Sequence, residues 1–390
     1  KSVFNKINFI PKLISAFMDS MMQLMGASKE VLPYAKSYSN WLLAGAIFTI
    51  SNLVLNNLLR TEGASKMSMI TIIIGAVANI ILDPIFMWGL GLGLAGAAIA
   101  TFISQALSTV LMLRFYLAKK SLIQLNRHTL LRSTPEDKEL LRQIFSVGIP
   151  VFITQFLAAV AFTLLNSAAA IFGAPALAAM GIVNKLYTIF TQMIAGYTSA
   201  FLPFASFNIG AILYHRVKEA IFFSLTITGL YSVVAIIIIN AIPEFFIKLF
   251  SNDPAVIALG VNCLKMQTYL LVGYAFIMVM TSVFQALGDS KKAGILSLGR
   301  QGLLLLPLTL ILPKLFQHHV PSVLESLGSY PMPSGLYGVM LAQPLADLIT
   351  LCLCIFLCVG TFKKLNALST SAIVSEHCSH SLKPNDNTLQ

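Results

Sequence analysis

Charged residues are scarce in this chain of 390 residues: Asp, Glu, Lys and Arg together make up 11%, and only 15 residues are acidic. A soluble domain carries about a quarter of its residues as charged side chains, so the composition argues against a soluble enzyme or binding module. Hydrophobic residues make up 57% of the chain, and the mean hydropathy is +0.81. The composition therefore predicts a protein that resides in a lipid bilayer.

Cysteine is also scarce, with five residues in the chain. Four of the five lie inside apolar runs, where we expect no disulfide and where a thiol acts as a small apolar filler. No histidine and, apart from Asp347, no acid accompanies the group formed by Cys352, Cys354 and Cys358. We predict no metal centre and no organic cofactor.

Long apolar runs recur along the chain, and each approaches or exceeds the roughly 20 residues that cross a bilayer as a helix. The runs lie at 42–59, 68–90, 95–117, 144–172, 176–210, 219–243, 259–287, 293–316 and 336–360. The sequence therefore predicts an all-α, polytopic membrane protein with about nine full spans.

The net charge of +11 comes from basic residues on alternate loops, of which the connection 114–142 is the richest. The intervening loops "GLGLG" (89–93) and "GAPA" (173–176) are nearly free of charge. Because short cytoplasmic loops are enriched in Lys and Arg, this pattern places the 114–142 loop and the C-terminus in the cytoplasm. It predicts a multi-pass protein of the cytoplasmic (inner) membrane. The partner of the basic residues is then the lipid bilayer, and we expect no nucleic-acid partner.

The chain contains an internal repeat. "LLRTEGASKMSM" (58–69) resembles "VFQALGDSKKAG" (283–294), and "GLAGAAIATFI" (93–103) resembles "GLYGVMLAQPL" (335–345). Related halves are a recurrent design in secondary transporters, with the substrate pathway between them. The spacing of the repeat predicts that a complete first half would begin about 85 residues before Lys1. We divide the chain into a partial helix (1–25), the rest of a first lobe with its linker (26–135), a second lobe (136–365) and a disordered cytoplasmic tail (366–390).

Eight stretches in order resemble the multidrug and toxic compound extrusion (MATE) transporters, in particular their prokaryotic DNA-damage-inducible-type branch. They are "LLRTEGASK", "NIILDPIF…GLGLAGAAIAT", "SVGIPVFITQ", "AAMGIVNKLYTIF", "FNIGA", "VFQALGDSKKA", "SLGRQGLLLLPL" and "GLYGVMLAQPLAD". The resemblance implies a two-lobed bundle of twelve helices, of which this chain would lack the first two and part of the third. It also implies a monomeric antiporter that exports small organic cations against Na⁺ or H⁺.

The resemblance further implies a cation site at Asn79, Asp83 and Thr101, completed by an aspartate in the missing segment. The residues alone favour such a site too, because Asn79 and Asp83 are four apart and share a helix face. A carboxylate within an apolar span is a functional-site hypothesis by default. The alternative is structural: Asp83 precedes Pro84 and would cap backbone groups near a kink.

The second half contains further polar residues inside its spans. Arg300 and Asp347 lie on successive spans, and we predict that they form a buried ion pair, the alternative being that both face water. The residues that we expect at the substrate cavity are Gln155, Asn184 and Gln192.

Four functions follow from these patterns, led by an ion-coupled multidrug exporter. A lipid-linked-precursor flippase would need a strongly cationic central cavity. A membrane enzyme is not favoured, because the chain has no Asp-rich Mg²⁺ motif, HExxH or GxSxG. The last alternative is a truncated and inactive relic of an exporter.

Overall fold

A computed structural model describes residues 32–118, 135–317, 330 and 332–381 of the chain. The predicted partial helix at 1–25 and most of the linker before Pro135 lie outside these residues. All regular structure in the described part is helical. Its helices are α1 (Leu32–Thr61), α2 (Ser65–Pro84), α3 (Gly93–Leu117), α4 (Pro135–Ala170), α5 (Ala174–Gly210), α6 (Tyr214–Ala241), α7 (Pro243–Lys248), α8 (Pro254–Thr268), α9 (Leu271–Ala286), α10 (Ser290–Leu298), α11 (Leu305–Leu315) and α12 (Ser334–Ser381).

Seven helical segments in the described part are long and apolar enough to cross a membrane, and α8 with α9 forms an eighth if that bent pair is one span. This confirms the all-α, polytopic fold. The remaining predicted span, 176–210, is the continuous helix α5. It is not among the seven helical segments that are apolar enough to cross a membrane. Its polar side chains, among them Asn184, Lys185 and Gln192, make it less apolar than the other spans.

Three predicted spans are not regular α-helices. The span at 259–287 bends by 44° between α8 and α9. At the bend the Thr268 hydroxyl donates to the Leu264 carbonyl (2.8 Å), a side-chain contact of the kind that bends helices. A π-helical turn at Ile85–Gly89 follows α2 directly, and another at Gly299–Leu304 joins α10 to α11.

The chain separates into two compact units, residues 1–135 and 136–390. In the first unit α3 packs against both α1 and α2. Polar contacts fasten α3 to α1: Asn52 Nδ2 donates to Gln105 Oε1 (2.6 Å), and the Tyr116 hydroxyl donates to the Leu55 carbonyl (3.3 Å). Such bonds stabilise helix pairs in a bilayer, where burial of apolar surface provides no driving force between helices.

The second unit has a larger apolar core, in which α5 packs against α8 and α9, and α11 packs against α12. Its most extensive cluster includes Met180, Val183, Leu264 and Met340, all at most 2% exposed. Many large apolar side chains of both units face outward, for example Trp88, Ile171 and Phe356 at 78%, 81% and 77% exposure. A surface of this kind fits the hydrocarbon of a bilayer.

The sequence repeat has a structural counterpart in two glycines that correspond in the aligned segments. A Cβ atom on Gly96 would lie 2.7 Å from the carbonyl carbon and oxygen of Phe86, and one on Gly338 would lie 2.5 Å from the same atoms of Leu312. Each glycine therefore lets its helix touch the backbone of the preceding span. The pairs α2–α3 and α11–α12 pack through the same kind of contact.

The tail differs from the sequence-based expectation. Disorder was expected from residue 366, whereas α12 continues to Ser381. The physical reason is that extending an existing helix costs far less than starting one, and residues 366–373 include good helix formers such as Ala and Leu. Residues 382–390 lie outside the described part.

Candidate functional site

The three residues of the candidate cation site lie together in the first unit. Asn79 Nδ2 donates to Asp83 Oδ1 (3.2 Å) on the same face of α2, and it lies 3.5 Å from Thr101 Oγ1 on α3. The Thr101 hydroxyl donates to the Ala97 carbonyl (2.9 Å), so its oxygen lone pair is free to face Asn79. All three side chains are partly buried. A carboxylate, an amide and a hydroxyl thus converge from two adjacent helices.

Two glycines set the distance between these helices. A Cβ on Gly75 would lie 1.9 Å from Ser108 Oγ, and one on Gly96 would overlap the Phe86 backbone. The Ser108 hydroxyl donates to the Thr71 carbonyl (3.1 Å), which fastens α3 to α2 on the side of the site away from Pro84. The site therefore lies between two close approaches of α2 and α3.

The backbone around Asp83 is irregular in a way that suits a site. Pro84 cannot donate a hydrogen bond to the preceding turn, and the chain enters the π-helical turn at Ile85. Turns of this type occur often at functional sites. The hydrogen-bond partner of the Asp83 carboxylate is the Asn79 side chain, which favours the cation site over the helix-cap interpretation.

In the second unit Arg300 and Asp347 form a salt bridge, with 2.5 Å between Nε and Oδ1. Their side chains are 7% and 2% exposed. Asp347 also accepts from the Tyr187 hydroxyl and from Gln343 Nε2, each at 3.2 Å. The Arg300 guanidinium carbon lies 4.5 Å from the centre of the Tyr274 ring. The carboxylate therefore accepts from three side chains, and the guanidinium has a counter-ion and an aromatic face inside the unit.

No hydrogen bond in the described part of the chain joins the three predicted cavity residues to one another. Asn184 is 8% exposed and its Oδ1 accepts from Gln267 Nε2 (3.3 Å), so it packs inside the second unit. Gln155 on α4 and Gln192 on α5 are exposed. Their role at a substrate cavity stays a prediction.

Sequence reasoning missed the two tyrosines that complete the Arg300–Asp347 cluster. Tyr187 lies three residues after Asn184 in "NKLYTIF", on the same face of α5. Tyr274 lies in the apolar stretch "LVGYAFIMVM" and contacts Arg300 through the face of its ring, a role that its apolar surroundings in the sequence do not indicate. Which partner it finds depends on packing between distant helices.

A third polar group lies outside the spans of the second unit. Glu244 on α7 pairs with Lys248 (2.7 Å) and accepts from the Tyr330 hydroxyl (2.9 Å). The hydrogen bonds from Lys248 and Tyr330 hold the pKa of the Glu244 carboxyl below its usual value. Glu244 and Tyr330 line a cleft of about 340 Å³, together with apolar residues such as Ile242 and Val261.

Comparison with known proteins identifies several relatives. The multidrug export protein MepA of Staphylococcus aureus strain N315 is 29% identical over 302 residues, which are 77% of this chain and 65% of that protein. MepA of Staphylococcus saprophyticus is 30% identical over 303 residues, 76% of this chain and again 65% of the relative. The chain thus spans slightly less than two-thirds of the length of these curated relatives.

Solved structures share the fold. An outward-facing multidrug resistance MATE family transporter of the MOP superfamily superposes with a TM-score of 0.76 at 23% identity, covering 92% of this chain and 75% of that one. A MOP superfamily transporter from Pyrococcus furiosus gives 0.75 at 23% identity, with 91% and 75% covered.

The family model named MatE matches residues 9–85 and 150–311, together more than half of the chain. The first matched segment ends just after Asp83, and the second extends past Arg300. With the helical fold and the repeated helix pair, these matches settle the family, and the chain belongs to the MatE family of membrane proteins.

Proposed function

We propose that the protein is a secondary active antiporter that exports organic cations across the cytoplasmic membrane, coupled to Na⁺ or H⁺ at Asp83. The observation that supports this most directly is the convergence of Asp83, Asn79 and Thr101 inside a pair of apolar helices. An intramembrane carboxylate is costly unless it binds something. Oxygen ligands of these kinds suit a hard cation, and a carboxylate also takes a proton.

Coupling follows if the ion and the substrate stabilise different conformations. An ion that binds Asp83 shifts the population only by its differential affinity for the two states. The names of the staphylococcal relatives point to drugs as substrates, and the negative charge of Asp83 favours cationic ones. We propose a protein that acts as a monomer, is not an enzyme and uses the coupling ion in place of a cofactor, with its C-terminus in the cytoplasm.

The buried salt bridge argues against a lipid-precursor flippase. A pyrophosphate would need several free cationic groups. The guanidinium of Arg300 is neutralised by Asp347 and stacked on Tyr274, which leaves Lys185 as the exposed cation of α5. The exporter is therefore the better-supported function.

The test is efflux of a fluorescent organic cation, ethidium, from cells without their own exporters, after an imposed Na⁺ or H⁺ gradient. In Asp83→Asn we expect ion-driven efflux to fall at least about tenfold, since the coupling free energy depends on the charge, with unchanged amounts of protein in the membrane. Asp253→Asn is the matched control: Asp253 caps α8 through the Ala255 amide, and Asn caps equally well.

Retained ion-driven efflux in Asp83→Asn would contradict coupling at this residue. Absence of efflux in the unmodified protein would instead favour the inactive relic over the exporter.

A further inference from the structure

The cluster around Asp347 contains the components of a cation site together with a cation that belongs to the protein. The carboxylate receives Arg300 Nε, the Tyr187 hydroxyl and Gln343 Nε2. The guanidinium of Arg300 also lies over the ring of Tyr274. A carboxylate and an aromatic face are the groups that proteins use to hold cations.

The repeat relates this cluster to the first unit. In the aligned segments Gly96 corresponds to Gly338 and Thr101 to Gln343, and the two glycines make the same backbone contact with the preceding span. Thr101 contacts Asn79, the partner of Asp83, whereas Gln343 contacts Asp347. In each unit this position therefore belongs to a polar group that contains a carboxylate, with Asp83 on the first helix of its pair and Asp347 on the second.

The two carboxylates differ in what surrounds them. Within the described residues, the hydrogen-bond partner of the Asp83 carboxylate is the neutral amide of Asn79, so its charge is left for an external ion. Asp347 is 2% exposed and its charge is balanced at 2.5 Å by Arg300. A buried carboxylate without a counter-ion is strongly destabilising, so the second unit needs this guanidinium at all times.

We infer that Arg300 is a tethered substitute for the coupling cation, which fills the Asp347 site permanently and restricts ion dependence to the first unit. This inference rests on the proposed ion coupling at Asp83. It assigns Arg300 as a specificity-determining residue: its removal turns the Asp347 cluster into a site for an external cation.

The test is thermal unfolding of the purified full chain in detergent, with Na⁺ exchanged at constant ionic strength for N-methyl-D-glucamine, a bulky hydrophilic cation without a quaternary ammonium group. In Asp83→Asn we expect a Tm that does not depend on Na⁺. In the double variant Asp83→Asn with Arg300→Gln we expect Na⁺ at about 100 mM to raise the Tm by roughly 3 °C or more, because a ligand that binds only the folded state stabilises it. Adding Asp347→Asn to this protein should abolish the response.

A second variant keeps the inference testable if Arg300→Gln does not fold. Asp347→Asn alone leaves the guanidinium without its carboxylate, so we expect its Tm to rise by a similar amount when chloride replaces gluconate. The pair Arg300→Gln with Asp347→Asn carries neither charge, and we expect it to fold and to respond to neither ion.

Three results would overturn the inference. The first is an Na⁺ response in Asp83→Asn that disappears on adding Asp347→Asn, which would mean that Asp347 binds ions with Arg300 in place. The second is a folded Asp83→Asn, Arg300→Gln protein that ignores Na⁺, and the third is an Asp347→Asn protein that ignores chloride. A wild-type protein without any Na⁺ or pH response would count against the proposed coupling, while these comparisons between variants would still decide the role of Arg300.

Discussion

At the scale of single residues, the chemistry of this protein depends on the partner that each acid finds. Asp83 is partly buried beside the neutral Asn79, Asp347 is buried against Arg300, and Glu244 pairs with Lys248 near the ends of the spans. The same functional group therefore has three environments. Only the first leaves a carboxylate within a span whose charge an external ion can balance.

The Glu244 contacts predict a pH dependence. The pKa of this carboxyl is lowered in the folded protein by Lys248 and Tyr330, so its contribution is present above the unfolded pKa of about 4.3 and is lost as the pH falls through the lowered value. We expect the Tm difference between wild type and Glu244→Gln to be small, since the pair is exposed, and to vanish at the acidic end of a pH series.

A Tm difference that persists or grows at acidic pH would contradict this assignment. Lys248→Met removes the first partner without touching Tyr330, and we expect it to reproduce part of the same pH dependence.

At the scale of helices, irregular backbone and close contacts occur together. The π-helical turn after Asp83 is touched by Gly96, and the π-helical turn that contains Arg300 leads into α11, which Gly338 touches. The glycines allow the helices to approach, and the turns change the direction of the side chains on either side. The candidate site is thus a property of a helix pair and not of one helix.

This arrangement predicts that Gly96→Ala displaces the turn that follows Asp83. A Cβ 2.7 Å from backbone atoms of Phe86 is overpacked, and such changes cost about 1–3 kcal/mol. We expect a Tm lower by a few degrees and reduced ion-driven efflux.

The control for Gly96→Ala is Gly89→Ala, because a Cβ there meets nothing within 4 Å. We expect this variant to lie within about 0.5 kcal/mol of wild type. Equal effects of the two variants would show that the contact with Phe86 does not hold the site.

At the scale of the whole molecule, the alternation of basic and uncharged loops predicts the orientation in the membrane. In a protein whose cysteines have been replaced, we expect Leu90→Cys to react with a membrane-impermeant maleimide added to intact cells. We expect His215→Cys to react only after permeabilisation, because its loop contains Arg216 and Lys218. The opposite pattern would invert the proposed topology.

The sequence by itself determined the class of the protein, the approximate positions of its spans and the pairing of Asn79 with Asp83. These features depend on composition and on helical periodicity, which act over a few residues. The tail shows the limit of such reasoning, since a polar composition predicted disorder where α12 continues to Ser381.

Apart from Arg300 and Asp347, two opposite charges in apolar spans that the sequence already pairs, the tertiary structure decided which distant polar groups meet. Tyr187 and Asp347 are 160 positions apart in the chain, and Asn184 and Gln267 are 83 apart. The bend at Thr268 and the two π-helical turns were also decided there. The physical reason is that such contacts depend on how side chains of several helices interdigitate in a close-packed interior, and no pattern within one helix encodes the partner it will find.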